Sequence, residues 1–254
     1  TLIDPNENAH PQDIRHLNAM PNGILPILTT GRSLPSARGV LRQNGILPQG
    51  PFPLPAVVLN GAEALLPGEE TILVHYLNPH LLIDLLDLSK VFSSTAFFYY
   101  QPRDVYLVNP TPIGRHLSRI HYLNAIECTV DEVPEQINKL MVIEDDPKKI
   151  TPIREMTVDW PSEIATSLPY ILEFSSPGVT KGKALEVLLE KMDLSETPVY
   201  VVGDGENDLT MSKKAEFFFA PDTAQPNVKQ QADGLIERSQ DGLLTPIINH
   251  ILHH

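Results

Sequence analysis

The chain has 254 residues, which at roughly 150 residues per domain allows one large or two modest domains. Hydrophobic residues make up 42% and charged residues 20%, too apolar for a disordered chain; the formal charge of −13 repels phosphate backbones and anionic lipid, so neither nucleic acid nor membrane is an expected partner. No apolar run reaches the roughly 18–20 residues of a membrane span, and the single cysteine, Cys128, excludes an intramolecular disulfide framework and suits a reducing cytoplasm, the expected location.

Residues 11–20 carry apolar positions at Ile14, Leu17 and Met20, the spacing of a short surface helix. Pro21-Asn22-Gly23 turns the chain, and residues 24–29 form a compact apolar run, expected to be a buried strand. A helical pattern follows through Pro35, Ala37, Val40 and Leu41, stopped by Gly45, and residues 56–59 read as a second buried strand ending in Asn60-Gly61. This rhythm is that of a parallel sheet with crossover helices. The middle differs. Residues 81–88 look helical, 95–100 and 105–108 look like strands, 134–140 like a helix start and 140–143 like a strand, as in an inserted α+β module. The first rhythm returns with a helix over 184–192, a strand over 197–202, a short helix over 208–215 and a strand over 217–220. The expected organisation is a doubly wound, mostly parallel α/β core formed by residues 1–77 and 173–254, with an inserted α+β cap over 78–172. Most of the 24 prolines stand between apolar runs, where they punctuate loops.

The most specific stretch is Val201-Val202-Gly203-Asp204-Gly205-Glu206-Asn207-Asp208, a buried strand running into a glycine-flanked acidic turn. In a parallel sheet this is the carboxyl edge, where open α/β folds bind ligands. Asp204 and Asp208 can converge there on a hard cation such as Mg²⁺, which takes one or two protein carboxylates plus substrate phosphate. Thr29-Thr30-Gly31-Arg32 also follows a strand and leaves backbone N–H groups for an anionic oxygen. Gly178-Val179-Thr180-Lys181-Gly182-Lys183 puts a lysine at a helix entrance. Other candidates read as structural: His75, His80, His116 and His121 lack ligand spacing, Cys128 an inert thiol, Phe97-Phe98-Tyr99-Tyr100 a sheet strand, and Glu144-Asp145-Asp146 a solvated turn.

In this order, the three motifs resemble the haloacid dehalogenase superfamily, and within it the Cof-type sugar-phosphate phosphatases with a type-2 cap. Asn60-Gly61-Ala62 is similar to that family's Asn-Gly loop, and Ala232-Asp233 and Asp241-Gly242-Leu243 to its C-terminal signatures. The resemblance implies that Thr30, helped by the Gly31 N–H, bonds the transferring phosphoryl group and that Lys181, in place of Lys183, neutralises it. Asn207 would orient phosphate or Lys181, with Arg32 and Asn60 also at the substrate. Asp204 would bind Mg²⁺, and Asp208 would be a ligand or its immediate support. Clamping of this kind is what phosphoryl transfer chiefly requires.

One departure is large. The family's first motif, Asp-x-Asp-Gly-Thr, supplies the nucleophile and the general acid/base, whereas this chain opens Thr1-Leu2-Ile3-Asp4-Pro5, similar to the residues at and after that motif's threonine. Asp4 reads as loop. The first strand of this superfamily's sheet is central and its loss would leave buried backbone unpaired, so about ten further residues are expected upstream. The function implied is Mg²⁺-dependent hydrolysis of a small phosphorylated metabolite through an aspartyl-phosphate. A phosphomutase of the same superfamily, or an inactive binding protein lacking the first motif, are the alternatives.

Overall fold

The computed structural model describes residues 2–4, 6–46, 50–166, 169–237 and 241–253. Thr1 and Pro5 of the opening stretch lie outside the described residues. In chain order the elements are α1 (Pro11–Asn18), β1 (Leu28–Thr29), α2 (Leu34–Gln43), β2 (Ala56–Val58), β3 (Glu63–Leu66), β4 (Glu70–Val74), α3 (Pro79–Val91), β5 (Ala96–Tyr100), β6 (Val105–Val108), α4 (Pro112–Ile120), β7 (Ile126–Glu127), β8 (Lys139–Ile143) and α5 (Pro147–Thr157). They continue with β9 (Glu163–Ala165), β10 (Ile171–Ser175), α6 (Lys181–Lys191), β11 (Tyr200–Val202), β12 (Phe217–Pro221), α7 (Pro226–Gln231), β13 (Gly234–Ile236) and α8 (Leu244–His253). No described helix is long and apolar enough to cross a membrane.

The prolines do more than punctuate loops. Proline takes the first helical position in α1, α3, α4, α5 and α7, where its missing N–H is no loss and its fixed φ suits the helix. The preceding residue caps several of these helices: Asn78 accepts from the His80 N–H at 2.9 Å, Thr111 from Gly114 at 3.1 Å and Asp146 from Lys148 at 2.9 Å.

The expected α/β class is what the fold shows, with parallel pairing where the sequence rhythm placed it. β1 lies parallel to β2, and β11, β12 and β13 are parallel neighbours. The hairpin of β3 and β4, unread in the sequence, adds antiparallel strands to the β1–β2 side. Helix α6 ties the two sheets together: Leu185, Leu188 and Leu189 pack in one cluster with Val57, Ala64, Val201 and Phe218.

A separate six-stranded sheet has the order β7-β6-β5-β8-β10-β9, antiparallel except at β6–β7. Both of its faces are covered. Phe97 and Tyr99 of β5 pack with Leu85 of α3 and Ile153 of α5, while Ala96, Phe98 and Tyr100 share a cluster with Leu34, Val58 and Leu59 of the parallel layer. Alternate side chains of one strand thus enter two cores, so Phe97-Phe98-Tyr99-Tyr100 is buried throughout. β10 runs through the 172/173 boundary and pairs along its length with β8.

Some local expectations give way to tertiary contacts. Residues 134–140 are not a helix start: the Leu77 N–H takes the Ile137 carbonyl at 2.7 Å, the Asn138 N–H donates to Tyr100 O at 2.8 Å, and Lys139 enters the sheet. The run 24–29 pairs as a strand only at Leu28–Thr29. The helix expected over 208–215 is a 3₁₀ turn, Glu206–Met211. Glu144 is buried and not solvated, accepting from the Thr95 hydroxyl and the Lys149 ammonium.

Candidate active site

Three loops meet at the carboxyl ends of β1, β2 and β11. In the first, the Thr30 N–H donates to Val57 O at 2.9 Å, continuing the β1–β2 ladder, and the Arg32 N–H then donates to Thr30 Oγ1 at 3.1 Å. Thr30 Oγ1 therefore acts as acceptor inside the loop, leaving its own O–H to donate outward. The Asn60 N–H reaches Thr30 O at 3.2 Å, and the Leu59 N–H reaches Arg32 O at 2.9 Å, so the second loop is stitched to the first. Leu59, Asn60 and Gly61 all adopt positive φ. At Gly61 the reason is double: its φ is +102° and an added Cβ would lie 2.3 Å from Thr180 O at the entrance of α6.

That contact brings in Lys181, the first residue of α6. Its Nζ donates to Asp208 Oδ1 at 2.6 Å, and both side chains are nearly enclosed, with Lys181 at 6% and Asp208 at 4% exposure. The other Asp208 oxygen, Oδ2, accepts the N–H groups of Asp204 at 3.0 Å and Gly205 at 3.1 Å. Asp208 thus folds its own turn back onto the end of β11 and ties it to the lysine. The Gly182 N–H donates to Thr210 Oγ1 at 3.0 Å, and Asn207 Nδ2 donates to Asn60 Oδ1 at 3.0 Å, closing the third loop on the second.

The structure therefore brings together Thr30, Gly31, Asn60, Lys181, Asn207 and Asp208 through a continuous set of contacts, with half-buried Asp204 on the same turn. Lys183, two residues on in the same first turn of the helix, is exposed. Arg32 is held to one side: it pairs with Glu7 Oε1 at 2.8 Å and lies 3.3 Å from His121 Nδ1, which is itself 2.6 Å from the same Glu7 oxygen. Burial, reinforced by the Arg32 charge, pushes the His121 pKa down from its ordinary value against the pull of Glu7.

Two charged residues at the site were not singled out from the sequence. Lys139 Nζ donates to Gly31 O at 3.1 Å and pairs with Glu173 Oε1, while Glu173 Oε2 accepts from Asn60 Nδ2 at 3.2 Å. Their signal is a charge interrupting a buried apolar strand, in Lys139-Leu140-Met141-Val142 and Leu172-Glu173-Phe174.

Among the described residues no group of three or more His, Cys, Asp or Glu could hold a metal by itself. The donor chemistry nonetheless suits a hard cation that keeps waters and takes oxygen from substrate. Asp208 spends both oxygens on Lys181 and the backbone, and the Asp204 N–H it holds fixes the backbone from which the half-buried Asp204 side chain leaves the turn.

The family model described as haloacid dehalogenase-like hydrolase matches residues 1–245. The phosphoglycolate phosphatase of Methanothermobacter thermautotrophicus is 35% identical over 81 residues, 32% of this chain and 36% of that protein. The 5-amino-6-(5-phospho-D-ribitylamino)uracil phosphatase of Bacillus subtilis is 32% identical over 111 residues, 43% of this chain and 45% of that protein. The matches thus span less than half the length of these curated relatives. A haloacid dehalogenase-like hydrolase of solved structure from Bacteroides thetaiotaomicron superposes with a TM-score of 0.84 over 99% of this chain and 96% of that one, at 21% identity, which speaks to fold. By a family match running almost from end to end, the chain belongs to the haloacid dehalogenase-like hydrolases.

Proposed function

We propose that this hydrolase is a Mg²⁺-dependent phosphatase of small phosphorylated metabolites, located in the cytoplasm, with residues 78–172 and the remainder of β10 forming a cap over the core. The observation that carries the reading is the convergence of the Thr30-Gly31 loop, the Lys181–Asp208 pair and the Asp204 turn at one edge of the parallel strands. Thr30 offers a hydroxyl hydrogen and Gly31 a backbone N–H to the phosphoryl oxygens. Lys181 supplies a fixed positive charge, aimed by Asp208 and desolvated by the packing around it, so its attraction for a dianion is little screened. Asn207 presents its amide from the third loop, oriented by Asn60. Asp204 would hold Mg²⁺, which supplies charge neutralisation of the transferring group when bound. In the family resemblance the attacking carboxylate and its acid–base partner are the two aspartates of an Asp-x-Asp motif, and the three loops would surround the phosphoryl group on which those aspartates act. The names of the two curated relatives, which differ in leaving group but share a small phosphomonoester, support the substrate class.

The test is phosphate release by the natural full-length polypeptide from phosphoglycolate, sugar phosphates and p-nitrophenyl phosphate. Turnover is expected with Mg²⁺ and not in EDTA, and Lys181→Ala should lower kcat by about 10²–10³ while Lys183→Ala does not. Turnover by Asp204→Ala in EDTA, or transfer of phosphate between sugar positions without net release, would overturn the reading.

A further inference from the structure

Lys139 is 2% exposed and Glu173 9%, both in strands of the six-stranded sheet. In the β8–β10 register Lys139 stands opposite Ser175 and Glu173 opposite Met141, so the two charges are diagonal neighbours on one face. That face also carries Tyr100, whose ring lies 5.4 Å from Lys139 Nζ, and it is turned toward the loops of the parallel core. A buried ion pair gains little over apolar residues of the same size, because desolvation offsets the attraction. What such a pair does fix is direction.

Two branches leave it. On one, a carboxylate can only accept, so Glu173 requires the amide nitrogen of Asn60 to face it. The Asn60 oxygen is thereby turned to Asn207, which must in turn present its own nitrogen. On the other branch, an ammonium can only donate, so Lys139 holds the Gly31 carbonyl while the N–H of the same peptide, that of Arg32, holds Thr30 Oγ1. Both ends of the Gly31–Arg32 peptide are then pinned.

We propose that Lys139 and Glu173 are positioning residues for the phosphoryl-binding loops, orienting the Asn60–Asn207 amides and the Gly31–Arg32 peptide from outside those loops. The proposal deepens the phosphatase reading and rests on it. The pair contacts no reacting atom; it acts through Asn60 and Gly31. Because both residues come from the sheet proposed as the cap, the phosphoryl loops keep their geometry only while that sheet is seated on them.

The experiment compares the full-length protein with Glu173→Ala, Glu173→Gln, Lys139→Met and the double variant Lys139→Met/Glu173→Gln. Binding of inorganic phosphate by calorimetry, kcat and KM for p-nitrophenyl phosphate, and Tm are measured on each. Glu173→Ala should weaken phosphate binding about tenfold and lower kcat/KM by about 10–100-fold, the scale of losses when a supporting contact is removed. Glu173→Gln, which keeps an acceptor for Asn60, should recover most of the phosphate affinity. The double variant leaves no buried charge unpaired, so it should melt near the parent and still bind phosphate more weakly, having lost the hold on Gly31. Phosphate affinity and kcat within about twofold of the parent in the double variant and in Glu173→Ala, with only Tm lowered, would overturn the positioning role. Absence of turnover in the parent would overturn the phosphatase reading itself, a result distinct from turnover with unchanged variants.

Discussion

Replacing Asp208 by alanine separates what this residue does for the fold from what its turn does for chemistry. The substitution strips a counter-ion 2.6 Å from an ammonium that stays enclosed, and breaking a buried pair on one side costs about 3–5 kcal/mol. It also removes the acceptor for the Asp204 and Gly205 N–H groups, about 1–3 kcal/mol for each donor left without a partner and less where water reaches the half-buried turn. These terms share one site and do not add, so a loss on the order of 5 kcal/mol is expected. Against a total of about 5–15 kcal/mol for a typical domain, that removes about a third or more of the stability. Asp208→Asn keeps an oxygen for the two amides and should lose roughly half as much. Adding Lys181→Met to Asp208→Asn removes both charges and should return stability toward the parent, a coupling of roughly 1–3 kcal/mol. Urea unfolding followed by circular dichroism reads all of these as midpoint shifts at constant m. If Asp208→Ala moved the stability by less than about 1 kcal/mol, the enclosed pair and the folded-back carboxylate would not be what holds this turn.

Two other outcomes follow from groups outside the phosphoryl loops. His121 has a folded-state pKa below its ordinary 6.5, so its neutral form contributes stability that is present above that value and lost as pH falls below it; Tm should drop between about pH 7.5 and about pH 5.5, and by less in His121→Gln. Asp13 is fully buried and accepts the Leu243 and Leu244 N–H groups, both at 2.8 Å on Oδ1, holding the entrance of α8; Asp13→Ala should cost about 2–4 kcal/mol in urea unfolding, and an unchanged midpoint would show that α8 is held by its apolar face alone.

What could be read from the sequence was local. The Gly203-to-Asp208 turn announces itself because its carboxylates and amide are contiguous and follow an apolar strand, and the bonds that shape it span four residues at most. The pairing of Lys181 with Asp208 spans 27 residues but follows from a helix entrance packing on a strand end, a relation that the element order implies. Glu173 and Asn60 are 113 positions apart, and no periodicity brings them together; only the seating of one sheet on another does. The same limit explains residues 134–140. Pro134 marks a permissible helix start, yet pairing with Tyr100 and Leu77 takes up the backbone of Ile137 and Asn138 first. His121 reads as structural in the sequence, and its contact with Arg32 depends on the end of α4 resting beside α2, where Ser36 Oγ donates to His121 O at 2.6 Å.

Helix α6 shows how packing far from the site fixes a charge within it. Its apolar side joins β2 and β3 to β11 and β12 through Leu185, Leu188 and Leu189, so the helix cannot shift without opening the cluster between the mixed β1–β4 sheet and the parallel β11–β13 sheet. Its entrance has no slack either. A Cβ at Gly61 would lie 2.3 Å from Thr180 O, and one at Gly182 would lie 2.0 Å from Thr210 O, so backbone from two loops touches the first turn where side chains would ordinarily intervene. Interiors packed this closely transmit displacement and do not absorb it. Lys181 is therefore aimed twice, by Asp208 through a hydrogen bond and by the helix through its core contacts. Electrostatic assistance to phosphoryl transfer depends on a charge already in place, because a cation that must reorganise during the reaction gives back part of the stabilisation it offers. A substitution such as Leu188→Ala thus threatens the site without touching any neighbour of the Lys181 ammonium: the cavity it leaves lets the helix settle, and the ammonium settles with it.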